Sequence, residues 1–243
     1  MNSAVKVERR GALRVVTLDR ADKANALSDE IVEALIEAVA EAERAGAQVL
    51  AFRGEGRNFS AGFDFTGIDE MTDAMLLKRF VRMETLLQAI DASPCLTVGL
   101  AHGRNFGAAV DLFAACKWRI AAADATFRMP GLAFGIVLGT RRFANLVGRD
   151  NARAILERLE VFDAVRAKEI GFVQREEAQE QWGAVLDEAV AVASKLPAEH
   201  RATLYRTLDP NQRDADMAAI ARSASAPGLQ SRIKEFLSSQ KKG

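Results

Sequence analysis

The sequence predicts a mixed α/β body followed by an all-helical region, and three observations carry that expectation. Short apolar runs bounded by glycine alternate with longer segments whose apolar residues recur at helical spacing. The first such elements run strand, helix, strand, the signature of a parallel crossover. Beyond Pro197 only helical periodicity remains. A chain of 243 residues can hold one large domain with an appended helical piece. The expected division is an α/β core over residues 1–187 and a helical region over 188–243.

Gly11–Leu18, with Val15, Val16 and Leu18, reads as the first strand, and the polar stretch Asp19–Ala24 as a turn. Ser28 is a candidate N-cap for a helix whose apolar face carries Ile31, Leu35, Ala38, Val39 and Ala42, with Gly46 ending it. Val49–Phe52 is short and flanked by Gly54 and Gly56, which fits a buried strand. The loop that follows, Gly54–Phe65, surrounds Phe59 and Phe63 with small residues. Small residues let a main chain approach a ligand, and loops at the carboxyl ends of parallel strands are common binding sites; a plain strand-to-helix turn reads equally well.

Thr72–Ile90 is helical by its spacing of Met75, Phe80, Met83, Leu86, Leu87 and Ile90. Next comes the run Cys95–Ala101 and then the stretch His102–Arg119, where Gly103 and Gly107 bracket a tight turn before a helix. In that helix the N–H of Ala108 would lie in the first turn, where backbone donors lack intrahelical partners and negative charge is favoured. Asp111, three residues on, would project from nearly the same face. Ala125–Leu138 reads as a strand bent by Pro130, Gly131 and Gly135, with Arg128 either snorkelling to solvent or holding an anionic substrate group. Helical character returns at Arg141–Val147 and Asn151–Leu159. Phe162–Val173 reads as a short helix leading to a strand, and Trp182–Leu196 as a helix.

Composition excludes several classes. Lys plus Arg and Asp plus Glu both number 33, so no net field draws nucleic acid or an anionic membrane. No apolar run approaches a membrane span and no secretory signal is recognisable, which with only Cys95 and Cys116 predicts a cytoplasmic protein. Two histidines without HExxH or CxxC spacing argue against a metal site. Ser60 lacks the GxSxG context, so a Ser60–His102–acid triad is a minor alternative, and His102 is expected to pack or hydrogen-bond near its turn.

Four ordered segments, LDRADKANALS, VLAFRGEGRNFSAGFDF, GLAHGRNFGAAVDLFAACKWRIAAADATFRMP and GTRRFANLVG, resemble the crotonase superfamily, also called the enoyl-CoA hydratase/isomerase family. The resemblance runs from about Val15 through Val173. It implies a crotonase-like spiral of ββα units with a C-terminal helical trimerisation region, hence a homotrimer or a hexamer. It also implies an acyl-CoA thioester as substrate, with coenzyme A as part of the substrate and no separate cofactor. By resemblance, the N–H groups of Phe63 and Ala108 form an oxyanion hole, and Lys23, Ala24, Ala61, Asp64 and Phe65 line the CoA moiety, mostly through backbone.

The departures narrow the chemistry. Hydratases of the family use two glutamates; Asp111 stands at the first position and Gly131 at the second. Arg128 stands where glycine is common, and Lys117 where aspartate is usual. The resemblance therefore implies single-acid proton transfer of the isomerase type through Asp111. An acyl-CoA hydrolase or decarboxylase on the same scaffold, with Arg128 holding a carboxylate, is one alternative, and a CoA-thioester-binding protein without catalysis is another. If structural, Asp111 is expected to cap its helix or pair with Arg104 or Arg128.

Overall fold

The structure is a computed structural model that describes residues 4–208 and 211–240. Two sheets organise it. The larger contains β1 (Val5–Arg10), β2 (Leu13–Leu18), β3 (Val49–Gly54), β4 (Leu96–Ala101), β6 (Trp118–Ala121) and β9 (Arg175–Glu176) in that spatial order. Only β1 and β2 pair antiparallel. The smaller sheet joins β5 (Arg104–Phe106), β7 (Thr126–Arg128) and β8 (Val161–Asp163). Parallel bridges Leu27↔Phe63 and Ser60↔Asn105 extend it toward the amino terminus.

The two sheets and the intervening helices give the spiral expected from the resemblance. Each turn sends a long strand into the large sheet, then a short segment into the small one, then a helix: β2, Leu27 and α1 (Asp29–Arg44); β3, Ser60–Phe63 and α2 (Asp73–Ala92); β4, β5 and α3 (Ala108–Ala114). The next turn runs through β6 and β7 to α4 (Thr140–Val147) and α5 (Arg149–Arg158).

Alternation along the large-sheet strands divides the core. Val16, Leu18, Leu50 and Phe52 face the interior of the spiral, while Leu13, Val15, Val49, Ala51, Leu96 and Val98 form a second cluster on the opposite face. Strands buried on both faces read as continuous apolar runs, which is why the sequence signals them clearly. The second cluster is closed by Trp182, Val185, Leu186 and Ala189 of α7 (Trp182–Ala193). Residue 187 therefore lies in the middle of a helix packed under the sheet, and the division expected after it cuts a continuous element. Three helices follow: α8 (Ala198–Leu208), α9 (Arg213–Ala224) and α10 (Leu229–Gln240).

Several local expectations hold. Ser28 caps α1 by accepting the N–H of Ile31, and the anticipated apolar face is buried, with Val32 added. α2 buries Phe80, Met83, Leu86, Leu87 and Ile90, but Met75 is half exposed and also outside the core. Others need correction. Gly11 is not in a strand: its φ of +56° turns the chain between β1 and β2. β1 escapes a pattern reading because it is an edge strand whose side chains are mostly charged and exposed. Ala125–Leu138 contains only the three-residue β7; Gly131–Phe134 is a 3-10 turn. The region at Phe162 runs strand first, β8, then α6 (Ala164–Glu169).

Candidate active site

Three loops meet at one end of the small sheet, and buried polar residues fix them. The Asn25 side-chain amide donates to the carbonyls of Glu55 and Asn58 and its oxygen accepts the N–H of Arg20. Ser60 donates from Oγ to Asn25 O and accepts the N–H of Gly62. Asn105 donates to the carbonyls of Gly103 and Thr126. These bonds satisfy groups that would otherwise be buried unpaired. They also assign Ser60 and His102: His102 Nε2 lies 2.9 Å from Gly56 O and its ring sits edge-on to Trp182, so the pair forms no triad.

Gly62 is where two loops touch. At φ +82°, a Cβ on it would lie 2.0 Å from Phe106 O and 3.1 Å from Ala108 N. Only glycine permits that approach, and it packs the residue before Phe63 against the backbone of Ala108. Ala108 is the first residue of α3, after Gly107, whose own N–H donates to Arg128 O at 2.8 Å. Among the described residues, neither the Phe63 nor the Ala108 N–H donates to another protein group. Free donors on adjoining loops are groups that can hold an oxygen gaining negative charge.

The donors open onto a cavity of about 300 Å³. Phe65, Phe80, Leu132, Phe134, Ile136 and Leu138 supply much of its apolar wall, and Phe236 and Leu237 of α10 complete it. The Phe63 ring stacks on Phe80 at 4.4 Å and has the Arg79 guanidinium 4.3 Å from its centroid.

Asp111 projects into this cavity from α3. It is 3% exposed, and its Oδ1 has no hydrogen-bond partner. Gly139 lies directly against it: a Cβ there would sit 2.0 Å from Oδ1. Burial pushes the Asp111 carboxyl well above the usual carboxylate range; the Arg142 cation opposes that and nearby Glu84 reinforces it. Asp111 makes no ion pair with Arg104 or Arg128. Behind it, Arg142 pairs with buried Glu84 at 3.3 Å and lies 3.9 Å from Asp91 and Asp216.

Of the other residues singled out in the sequence, Ala61, Phe65, Arg128 and Gly131 line the cavity. Arg128 donates from Nη1 to Gln240 Oε1 at 2.8 Å and from Nε to Leu159 O at 3.4 Å. Gly131, at the hydratase family's second carboxylate position, opens the 3-10 turn. Lys23, Ala24 and Asp64 lie off the cavity. Lys23 is exposed, and Ala24 accepts the N–H of Ala61. Asp64 gives its N–H to Leu27 O, pairs with Arg20 at 2.5 Å and accepts the N–H of Thr66. Burial would raise its carboxyl, but the bonds from Thr66 and Arg20 prevail and hold it below its ordinary value.

Pattern reading of the sequence does not reach Gly139, the α10 wall or the Glu84–Arg142 pair. Only Gly139 carries a sequence signal, as the glycine that opens the GTRRFANLVG segment.

A spiral of ββα turns with paired loop N–H groups over an apolar acyl-sized cavity defines a crotonase-type protein. The family model described as enoyl-CoA hydratase/isomerase matches residues 8–242, and the chain belongs to that family. A crystal structure from Bordetella parapertussis, described as a putative enoyl-CoA hydratase/isomerase, is 54% identical with a TM-score of 0.95, covering 96% of this chain and 98% of that one. An enoyl-CoA hydratase structure from Bacillus halodurans, at 20% identity and TM-score 0.83, shares the fold over 96% of this chain and 100% of that one. In sequence, a protein named as a probable enoyl-CoA hydratase in Mycobacterium tuberculosis is 34% identical over 167 residues, 68% of this chain and 67% of that one.

Proposed function

We propose that this family member binds an acyl-CoA thioester with its carbonyl oxygen between the N–H groups of Phe63 and Ala108, and that Asp111 moves a single proton along the acyl chain. One observation carries the choice of chemistry: among the described residues, Asp111 is the only carboxylate lining the cavity. Hydration in the two-carboxylate manner needs a second acid, and glycine stands in its place at position 131.

The step balances without a further reactant. Asp111 takes a proton from carbon, and the electron pair left behind moves through the thioester to its oxygen. The two N–H groups hold that oxygen as an enolate. The proton then returns from Asp111 to a carbon further along, and the double bond has shifted. A carboxyl raised by burial is a stronger base when ionised, which suits abstraction from weakly acidic carbon.

CoA lies outside the cavity in this reading, near Lys23, Ala24 and the backbone of Ala61, Asp64 and Phe65. Self-association as a trimer or a pair of trimers belongs to the same reading; it is supported by Leu196, Leu204 and Leu208, which stand exposed on and beside α8.

Incubation with a panel of 2-enoyl-, 3-enoyl-, malonyl- and aryl-CoA thioesters tests the proposal. The expected outcome is double-bond migration that Asp111→Asn lowers by about 10²–10⁴-fold. Turnover of the panel that is unchanged by Asp111→Asn contradicts it.

A further inference from the structure

Arg128 stands out inside this site. Among the described residues, those lining the cavity besides Asp111, Thr140 and Gln240 are apolar or glycine, with Arg128 the only cation. Its backbone belongs to the thioester end, because its carbonyl accepts the N–H of Gly107, next to the donor residue Ala108. Its side chain lies between the end of α5, where the Leu159 carbonyl accepts from Nε, and the end of α10, where Gln240 accepts from Nη1.

Both acceptors are neutral. Among the described residues, no carboxylate lies within ion-pair distance of Arg128, whereas Arg20, Arg79, Arg82, Arg141 and Arg142 all have one. Among the described residues Nη2 has no hydrogen-bond partner, and it is not one of the buried, unpartnered side-chain atoms. A guanidinium oriented through two of its nitrogens, with the outer one open beside an apolar cavity, has its charge unbalanced and its fork available. A carboxylate is the group that such a fork matches.

We infer that Arg128 is a specificity-determining residue that takes a carboxylate on the acyl chain, so that thioesters of dicarboxylic acids are preferred over plain fatty acyl thioesters. The inference rests on the acyl-CoA reading above and names its substrate class. Gln240 acts as a positioning residue that keeps the guanidinium over the cavity. A site built to pair a polar group discriminates strongly against the analogue that lacks it, because its own charge is then left unmatched.

Calorimetry on the full chain tests this without relying on turnover. The probes are glutaryl-CoA against pentanoyl-CoA and adipyl-CoA against hexanoyl-CoA, each pair equal in carbon number. The wild type is expected to bind at least one dicarboxylate tenfold or more tightly than its partner. Arg128→Met is expected to bring that ratio close to one, with Arg128→Lys between. Because the ratio is taken within one variant, a general loss of folded protein cancels. Equal binding within both pairs by the wild type overturns the inference and leaves the acyl-CoA reading standing, as does a ratio unchanged by Arg128→Met. If none of the four thioesters binds the wild type, the acyl-CoA reading fails and the inference with it.

Discussion

Replacing Gly62 by alanine would place a Cβ 2.0 Å from the carbonyl oxygen of Phe106 and 3.1 Å from the nitrogen of Ala108. Cβ atoms essentially never come within 3.0 Å of such neighbours, so one loop must retreat by about 1 Å. The residue also has φ +82°, where alanine is strained. Strain of this kind costs about 1–3 kcal/mol of stability. The larger expected effect is on activity, because the retreat separates the Phe63 and Ala108 donors. A misplacement of about 1 Å in a reacting geometry can cost about 10²-fold, and loss of one oxyanion donor about 10²–10³-fold. The assay is kcat/KM for an acyl-CoA substrate, with urea denaturation confirming that the variant is folded. Gly183→Ala is the control: it lies in α7 with open space around it, so it is expected to leave activity intact and to stabilise by about 0.5–1 kcal/mol. A folded Gly62→Ala protein with turnover close to wild type would refute the role given to this contact.

Three further outcomes follow from the buried charges. The folded-state pKa of Asp111 is raised above its unfolded value, so its contribution to stability is full below the ordinary carboxylate range and is lost as pH rises through the raised value. The wild type is therefore expected to lose melting temperature relative to Asp111→Asn as pH rises above about 4, and thermal denaturation across pH checks this. With ionised Asp111 as the proposed base, kcat/KM is expected to rise with pH through an apparent pKa above the usual carboxylate range, checked by a pH–rate profile. Arg142→Ala removes the partner of buried Glu84 and is expected to cost about 3–5 kcal/mol in urea denaturation. The double variant Glu84→Gln with Arg142→Met should lose less, since no uncompensated charge stays buried.

What the sequence reveals and what it hides divide along physical lines. The strands of the large sheet are legible because both faces are buried, so Val49–Phe52 reads as an apolar run and Cys95–Ala101 as one interrupted only by Thr97 and Gly99. α1 is legible from Ser28 and from the spacing of Ile31, Leu35 and Val39. The small sheet is hidden because β5, β7 and β8 are three residues each, too short for any period to show. At the site, the turn at Gly107 and the position of Asp111 on α3 follow from local rules. The contact that makes Gly62 necessary involves Phe106, and the one that shields Asp111 involves Gly139. Neither is local, so neither leaves a periodic trace. The closing of the cavity by Phe236 of α10 is the longest-range example, joining the last described helix to loops formed early in the chain.

The central claim is that Asp111 moves a proton on the carbon skeleton of a thioester held by Phe63 and Ala108. Exchange of acyl-chain protons in D₂O, followed by NMR on a bound acyl-CoA that undergoes no net reaction, tests it most directly. The wild type is expected to exchange protons beside the thioester carbonyl, and Asp111→Asn to bind the same ligand with exchange slower by about 10²–10⁴-fold. Exchange at equal rates in the two proteins would contradict the account.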